Sequence, residues 1–376
     1  MRSASRLLFV TLLLSNHALF AQNSLTDNPL KTHLDSVVHQ AASKYLQQPN
    51  TVGISIGIYH QGQNYTYNYG ELRKGTQKLP TAKTFYNMGS VAKTFVGVLL
   101  AQAVIDKKAH LNDDIRQYLP GPYPNLSFQG HPVQLVHLAN HTSALPKSAK
   151  SYPPSTRDSI SHLDKISQFN FYGRYSQDSL LRDMHAWRVD TLPGAAYVYN
   201  SNAMMVLSLL LGRIYHQPYE QVFTRYLQTQ LKMYDTRVQL SETDLQRVAQ
   251  GYSSSGQAQP YGNLKGFYGG PSMNSTVQDM LRYIQANLAE KDAALKLSHQ
   301  LTWGKLDEVA MGLSWRLEQS TTVGRRIMHS GSTGLGFNTL CTLYPDRQTG
   351  FILFVNETTS QSNVDEMEQA ILKAFK

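Results

Sequence analysis

Met88-Gly89-Ser90-Val91-Ala92-Lys93-Thr94-Phe95 opens an apolar run, Phe95 to Ile105, interrupted by Gln102. A helix apolar on every side belongs in the interior of a large domain. Ser90 is the only serine in the chain with a lysine three residues later. Positions i and i+3 share a helix face, so Lys93 is expected one turn above Ser90 and pointing at it. At a helix N-terminus the free N–H groups and the positive dipole end favour an oxyanion. A lysine under an apolar roof loses solvation and its pKa falls, so it can take the serine proton and make the hydroxyl a nucleophile. The same spacing also occurs on solvated helix faces, so the tetrad needs context from the rest of the chain.

Upstream of Ser90 the chain reads helix, strand, strand. Leu30, Leu34, Val37, Val38, Ala41 and Tyr45 have helical spacing. Val52 to Tyr59 alternates with period two, Gln61-Gly62-Gln63 makes a turn, and Asn64 to Tyr69 alternates again, which predicts a β-hairpin. Further back, Arg2 and Arg6 precede the apolar run Leu7 to Leu14, with small residues from Ala18 to Ala21. This is the pattern of a secretory signal peptide over residues 1–21, with an uncleaved anchor as the alternative, and the expected location is periplasmic or secreted. No cysteine follows that run to carry a lipid. Cys341 is the sole cysteine of 376 residues, which rules out an intrachain disulfide; it falls in a strand-like apolar run and reads as packing.

Downstream, Leu111 to Pro120 predicts a short capped helix, and Val133 to Leu138 another. His137 and His141 follow at i, i+4 spacing. No glutamate lies between them and no third ligand is apparent, so structural hydrogen bonding is expected rather than a metal. Residues 147–190 are rich in Ser, Tyr, Pro, Asp and Arg, with scattered aromatics. A long connection of this kind is either a lid over a site or a surface insertion packed on its own aromatics. Pro193-Gly194 turns the chain before Tyr199, which stands at the entrance of a second apolar helix, Ala203 to Tyr215. Gly269-Gly270-Pro271 is a breaker, and an amphipathic helix runs from Ser275 to about Leu288. Period two returns over Gly312 to Leu317, Arg325 to Met328, Phe337 to Tyr344 and Gly350 to Asn356, and Val364 to Phe375 is an amphipathic helix.

Strands near both ends and helices between them predict an α+β fold. One antiparallel sheet, flanked by the N- and C-terminal helices, draws on residues 28–89 and 290–376; residues 90–289 form an inserted, mainly helical domain that contains the 147–190 connection. A hydrophobic content of 41% supports a real core, and the net charge of +9 comes without an arginine-rich cluster or an aromatic–basic stripe. The surplus charge therefore reads as solvated surface, and a nucleic-acid partner is not expected.

Ser90-Val-Ala-Lys93-Thr-Phe, Tyr199-Asn-Ser201 and His329-Ser330-Gly331 fall in the order of three motifs of serine β-lactamases and penicillin-binding proteins. The spacing most resembles class C β-lactamases, DD-peptidases and related esterases, from about residue 30 to the C-terminus. Leu111 to Pro120, His141 to Pro146, Pro193-Gly194 and Ser275 to Leu288 match supporting segments. The resemblance implies that Ser90 attacks a carbonyl, Lys93 takes or relays its proton, and Tyr199 exchanges a proton with the leaving group and the deacylating water. It implies an oxyanion hole from the N–H groups of Ser90 and Ser332, and substrate contacts from Ser201, His329, Ser330 and Gly331. It implies neither a metal nor an organic cofactor. The substrate would be a small molecule or peptide, with cell-wall D-alanyl peptides, other peptide amides and β-lactams as candidates. A carboxylesterase using the same residues and a penicillin-binding sensor with little turnover are the alternatives. No membrane or protein partner is indicated. Two departures stand out: Ser201 replaces the usual asparagine, with Asn202 directly after it, and histidine replaces the class C lysine at His329.

Overall fold

The computed structural model describes residues 25–147, 154–164, 167–168, 171, 174–261 and 273–375. The signal-like segment, the Gly269-Gly270-Pro271 breaker and parts of the 147–190 connection lie outside the described residues. Among the described residues no helix is long and apolar enough to cross a membrane.

The alternating stretches form strands because each buries one or both faces. β1 (Gly53–His60) and β2 (Gln63–Gly70) make the hairpin; β3 (Trp303–Gly304), β4 (Ala310–Met311), β5 (Arg316–Ser320), β6 (Gly324–Thr333), β7 (Phe337–Tyr344) and β8 (Thr349–Val355) complete an eight-stranded sheet in the order β2-β1-β8-β7-β6-β5-β4-β3. Pairing is antiparallel throughout. The register sets Ile54 opposite Val355, Leu340 opposite Leu353 and His329 opposite Cys341. Side chains alternate between faces along each strand, so the sheet separates two cores. On one face Ile54, Ile56, Ile58 and Leu353 meet the helices His33–Leu46 and Gln361–Leu372 through Val38, Ala42, Val364 and Ile371. On the other, Cys341, Ile352 and Phe354 join the larger core with Phe95, Met280, Ile284 and Trp315. The fold is thus α+β, with the terminal helices flanking an antiparallel sheet.

Three local readings change. The Val277–Ala289 helix, assigned from sequence to the helical part, lies on the sheet: Val277 and Leu281 crowd Gly57 of β1, and Ile284 and Leu288 crowd Gly350 of β8. Leu111 to Pro120 yields only the 3₁₀ turn Ile115–Tyr118. The backbone there is engaged by the next segment, with N–H to O=C bonds Ile115 to Val133, Leu135 to Asp113 and Val136 to Leu111. Gly312 to Leu317 is a strand only from Arg316, because Gly312 N–H bonds Trp315 O and Ser314 adopts a left-handed φ of 62°. Within the 147–190 connection, Tyr175, Leu180, Met184 and Trp187 are buried in the larger core, so residues 175–187 are part of the packed fold.

Candidate active site

Gly89–Val91 is one 3₁₀ turn that feeds directly into the helix Ala92–Ile105. Gly89 has φ +51°, and its N–H is held by Asn87 Oδ1 at 3.0 Å. Behind the turn, Phe95 stacks on Tyr283 with ring centroids 4.0 Å apart, and Tyr283 OH bonds Thr94 Oγ1 at 3.1 Å. The helix therefore cannot slide or rotate without breaking a stacked pair and a buried hydrogen bond. Lys93 is 1% exposed and its Nζ lies 3.0 Å from Ser90 Oγ. Burial alone lowers its pKa to about 7, so near neutral pH a large fraction is the free amine.

The β6 strand closes against this turn. A Cβ on Gly331 would lie 2.3 Å from Met88 O and 2.9 Å from Ser90 N, and one on Gly89 would lie 2.9 Å from Ser332 N. Only two glycines allow that approach, which packs the backbone of Gly331 and Ser332 directly against that of Gly89 and Ser90. The β5–β6 pairing ends at Met328, so Ser330 to Thr333 have a strand on the β7 side and an open edge on the other. An open edge beside a serine can pair with an extended peptide.

Tyr199 approaches from the helical part. Its OH donates to Ser90 Oγ at 2.6 Å, and Lys93 Nζ stands 5.2 Å from the centre of its ring. Burial raises the phenol pKa above its ordinary value, and the bond to Ser90 offsets part of the rise. Tyr199 is therefore a phenol at neutral pH, able to give a proton and not to take one in the resting site. Asn200 caps the Ser201–Ile214 helix through Oδ1 to Ala203 N and fixes the entrance loop through Nδ2 to Leu145 O at 2.7 Å. Ser201 is exposed in the first turn. Asn202 is buried and spends its amide on Pro146 O at 2.9 Å, so it is a scaffold group and does not stand in for Ser201.

His329 is buried at the site. Its Nδ1 lies 2.7 Å from Ser330 O, which can only accept, so Nδ1 carries the hydrogen and Nε2 keeps its lone pair. Burial first and the Lys93 charge second lower its pKa to about 4, so the ring is neutral across the neutral range. Where a lysine would offer only donors and a charge, His329 offers an uncharged acceptor. His137 and His141 each hold backbone through Nδ1: His137 Nδ1 accepts from Gln134 N–H at 3.2 Å and His141 Nδ1 from Asn200 N–H at 3.3 Å. Asn87 and Asn200 are the groups to which sequence reading gave no role. Asn200 and His141 join loops 55 to 59 positions apart, which the i, i+3 and i, i+4 rules do not see, and Asn87 holds Gly89 N–H two residues on.

A hydroxyl contacted by both an amine of lowered pKa and a neutral phenol, with the β6 backbone packed against its turn, is an arrangement suited to acyl transfer. The match to known proteins agrees. The family model described as Beta-lactamase covers residues 38–376. A "Beta-lactamase" of Lysobacter lactamgenus is 23% identical over 345 residues, 88% of this chain and 82% of that protein. A "D-alanyl-D-alanine-carboxypeptidase/endopeptidase AmpH" of Escherichia coli (strain K12) is 23% identical over 341 residues, 86% and 84% respectively. Among solved structures, "A class C beta-lactamase" superposes with a TM-score of 0.77 at 21% identity, covering 91% of this chain and 96% of that one. "Beta-lactamase/D-alanine Carboxypeptidase from Yersinia pestis complexed with citrate" superposes at 0.78, also at 21% identity, covering 91% and 99%. These superpositions establish the shared fold, and the family match over most of the length establishes membership: the chain belongs to the Beta-lactamase family, within the serine β-lactamases and penicillin-binding proteins.

Proposed function

We propose that this protein is an exported serine hydrolase that works through a Ser90 acyl-enzyme on peptide amides, D-alanyl peptides or β-lactams. The observation that carries the reading is the double contact on Ser90 Oγ, 3.0 Å from Lys93 Nζ and 2.6 Å from Tyr199 OH. With Tyr199 donating to Oγ, the serine O–H is free to point at the neutral amine of Lys93. Ser90 Oγ attacks the carbonyl carbon, its proton passes to Lys93, and the negative oxygen is received by the N–H groups of Ser90 and Ser332. Each such donor contributes about 3 kcal/mol to the barrier reduction. The C–N bond then breaks, and Tyr199 gives its proton to the departing nitrogen while drawing one from Lys93. A water reverses the sequence: it loses a proton to the Tyr199–Lys93 pair, attacks the acyl carbon and releases Ser90. Export rests on the Arg2, Arg6 and Leu7 to Leu14 pattern.

A carboxylesterase is the second reading, favoured by His329. An uncharged imidazole in place of a lysine holds a substrate carboxylate weakly, so substrates lacking one lose little. Intact mass after incubation with penicillin, beside a hydrolysis panel of D-alanyl peptides, cephalosporins and short-chain esters, tests both. An adduct on Ser90 with turnover of amides supports the first reading; ester turnover with little else supports the second. No adduct and no turnover in any arm would remove both.

A further inference from the structure

His141 grips the Tyr199 segment on both sides. Its carbonyl accepts Val198 N–H at 2.8 Å, and its Nδ1 accepts Asn200 N–H at 3.3 Å. Between those two bonds, its ring lies 4.5 Å from the Tyr199 ring, tilted by 47°, and 6.1 Å from Tyr197 at 84°. Residues 198, 199 and 200 are thus all held by one side chain and its own backbone. Tyr199 is 37% exposed, so solvent lies on its open side and the wall behind it is His141. His141 itself is fully buried and has a left-handed φ of 63°, which is uncommon for a residue with a side chain. A loop that keeps a bulky residue in that conformation is over-determined by its contacts.

The hydrogen-bond pattern also fixes the tautomer. Nδ1 accepts, so Nε2 carries the hydrogen, and that buried N–H has no hydrogen-bond partner among the described residues. The groups facing the ring are Lys93, His329, Tyr197 and Tyr199. Burial first, then the Lys93 and His329 charges, oppose protonation and lower the His141 pKa to about 3. The ring is consequently a neutral wall at every pH where the protein would work. It takes no part in proton traffic of its own.

We propose that His141 is a positioning residue that sets the Tyr199 phenol on Ser90, its ring bracing the phenol from behind while its Nδ1 and carbonyl clamp the backbone on either side. The proposal rests on the reading of Ser90 as nucleophile and Tyr199 as its proton partner. It predicts that His141 acts on rate only through Tyr199. The test is a double-mutant cycle with His141→Asn and Tyr199→Phe, on the turnover substrate that the hydrolysis panel selects, with rates expressed per Ser90 that a serine-reactive phosphonate labels. Asparagine tolerates the left-handed backbone and its Oδ1 can still accept Asn200 N–H, so only the wall is lost. His141→Asn is expected to lower kcat by about 10- to 100-fold with KM changed by less than about threefold. In the Tyr199→Phe background the same change is expected to cost less than about threefold.

A merely structural His141 would lower the melting temperature and multiply its loss onto Tyr199→Phe without discount. Full additivity, or a His141→Asn rate per labelled site within about threefold of the parent, overturns the proposal. If the asparagine variant does not fold, His141→Gln enters the same cycle with the same expectations. Failure to label Ser90 in the parent overturns the functional reading and this one with it; a labelled parent with an unaffected variant overturns this one alone.

Discussion

Replacing Lys93 with methionine removes a buried amine and keeps an unbranched apolar side chain one atom shorter, and the consequence for stability can be worked out. In the unfolded chain the amine titrates at 10.5; in the fold, burial lowers that to about 7. The unfolded state therefore binds the extra proton between these values, and stability rises with pH across that window. Put the other way, below pH 7 Lys93 carries its full destabilising effect, and the effect is released as pH approaches 10.5. Each pH unit is worth about 1.4 kcal/mol, so the full effect is on the order of 5 kcal/mol and the change from pH 7 to pH 9 is roughly 2 kcal/mol. His141 and His329, lowered to about 3 and about 4, stay neutral in this range, and Tyr199, raised, titrates above it. The difference between parent and Lys93→Met therefore isolates the lysine.

The assay is denaturant unfolding of both proteins at half-unit steps from pH 6 to pH 9. The methionine variant is expected to be the more stable at pH 6 and 7, by several kcal/mol less the small cost of the lost Ser90 contact, with the gap closing as pH rises. In parallel, the parent's kcat/KM is expected to show an acid limb with a midpoint near pH 7, as the amine that takes the serine proton becomes protonated. A stability gap that does not vary with pH would show that Lys93 keeps its ordinary pKa, and the proton relay drawn above would fail with it.

Ser90→Ala is expected to abolish both turnover and phosphonate labelling; label on any other serine refutes the nucleophile. Gly331→Ala forces a methyl to within 2.3 Å of Met88 O and 2.9 Å of Ser90 N, so β6 must retreat from the nucleophile turn. A loss of about 100-fold or more in kcat is expected, the scale of one oxyanion donor, and a rate within threefold of the parent would put the oxyanion site elsewhere. Since His329 is held near 4, the parent's ratio of ester to β-lactam kcat/KM is expected to stay flat from pH 5.5 to 8.5. His329→Lys is expected to shift that ratio about tenfold toward the carboxylate-bearing substrate, a gain of about 1.4 kcal/mol. A ratio that slopes with pH in the parent, or that lysine leaves unmoved, refutes the role given to the imidazole.

Much of this site could be read from one dimension because two of its members, Ser90 and Lys93, lie three residues apart at a helix start. The Ser90–Lys93 contact follows from helical periodicity, and the lowered pKa follows from the apolar run Phe95 to Ile105 that buries it. The hairpin, β7 and β8 were legible for a similar reason: each is rich in residues that favour a pleated, buried surface. β6 was only half legible. Arg325 to Met328 alternate, but His329-Ser330-Gly331-Ser332 does not look like a strand, and it becomes one because β7 pairs with it residue by residue, from His329 opposite Cys341 to Ser332 opposite Asn338. The state of His329 was legible only as an ordinary imidazole. Its descent to about 4 needs the burial and the nearby Lys93 that the fold supplies. The role of Asn202 was not legible, since nothing local reveals that its amide donates to Pro146 O. His141 was expected to make structural hydrogen bonds, but its grip on residues 198 to 200 crosses almost sixty positions of chain.

The strand order carries a consequence for how the protein is made. β1 leaves the ribosome well before β8, yet it sits beside it, and Ile54 meets Val355 only after about 300 more residues have been added. At about 5–20 residues per second that wait is roughly 15 to 60 seconds. The hairpin must pass the interval with its inner edge unpaired, which favours holding the chain extended and unfolded until synthesis is nearly finished. Ser90 leaves early as well, but Gly331 and Ser332, which press on it, are not yet synthesised. A nascent chain thus has the serine without the pocket, so a hydrolase of this design acquires its reactivity in one late step, after the sheet closes through its last strand.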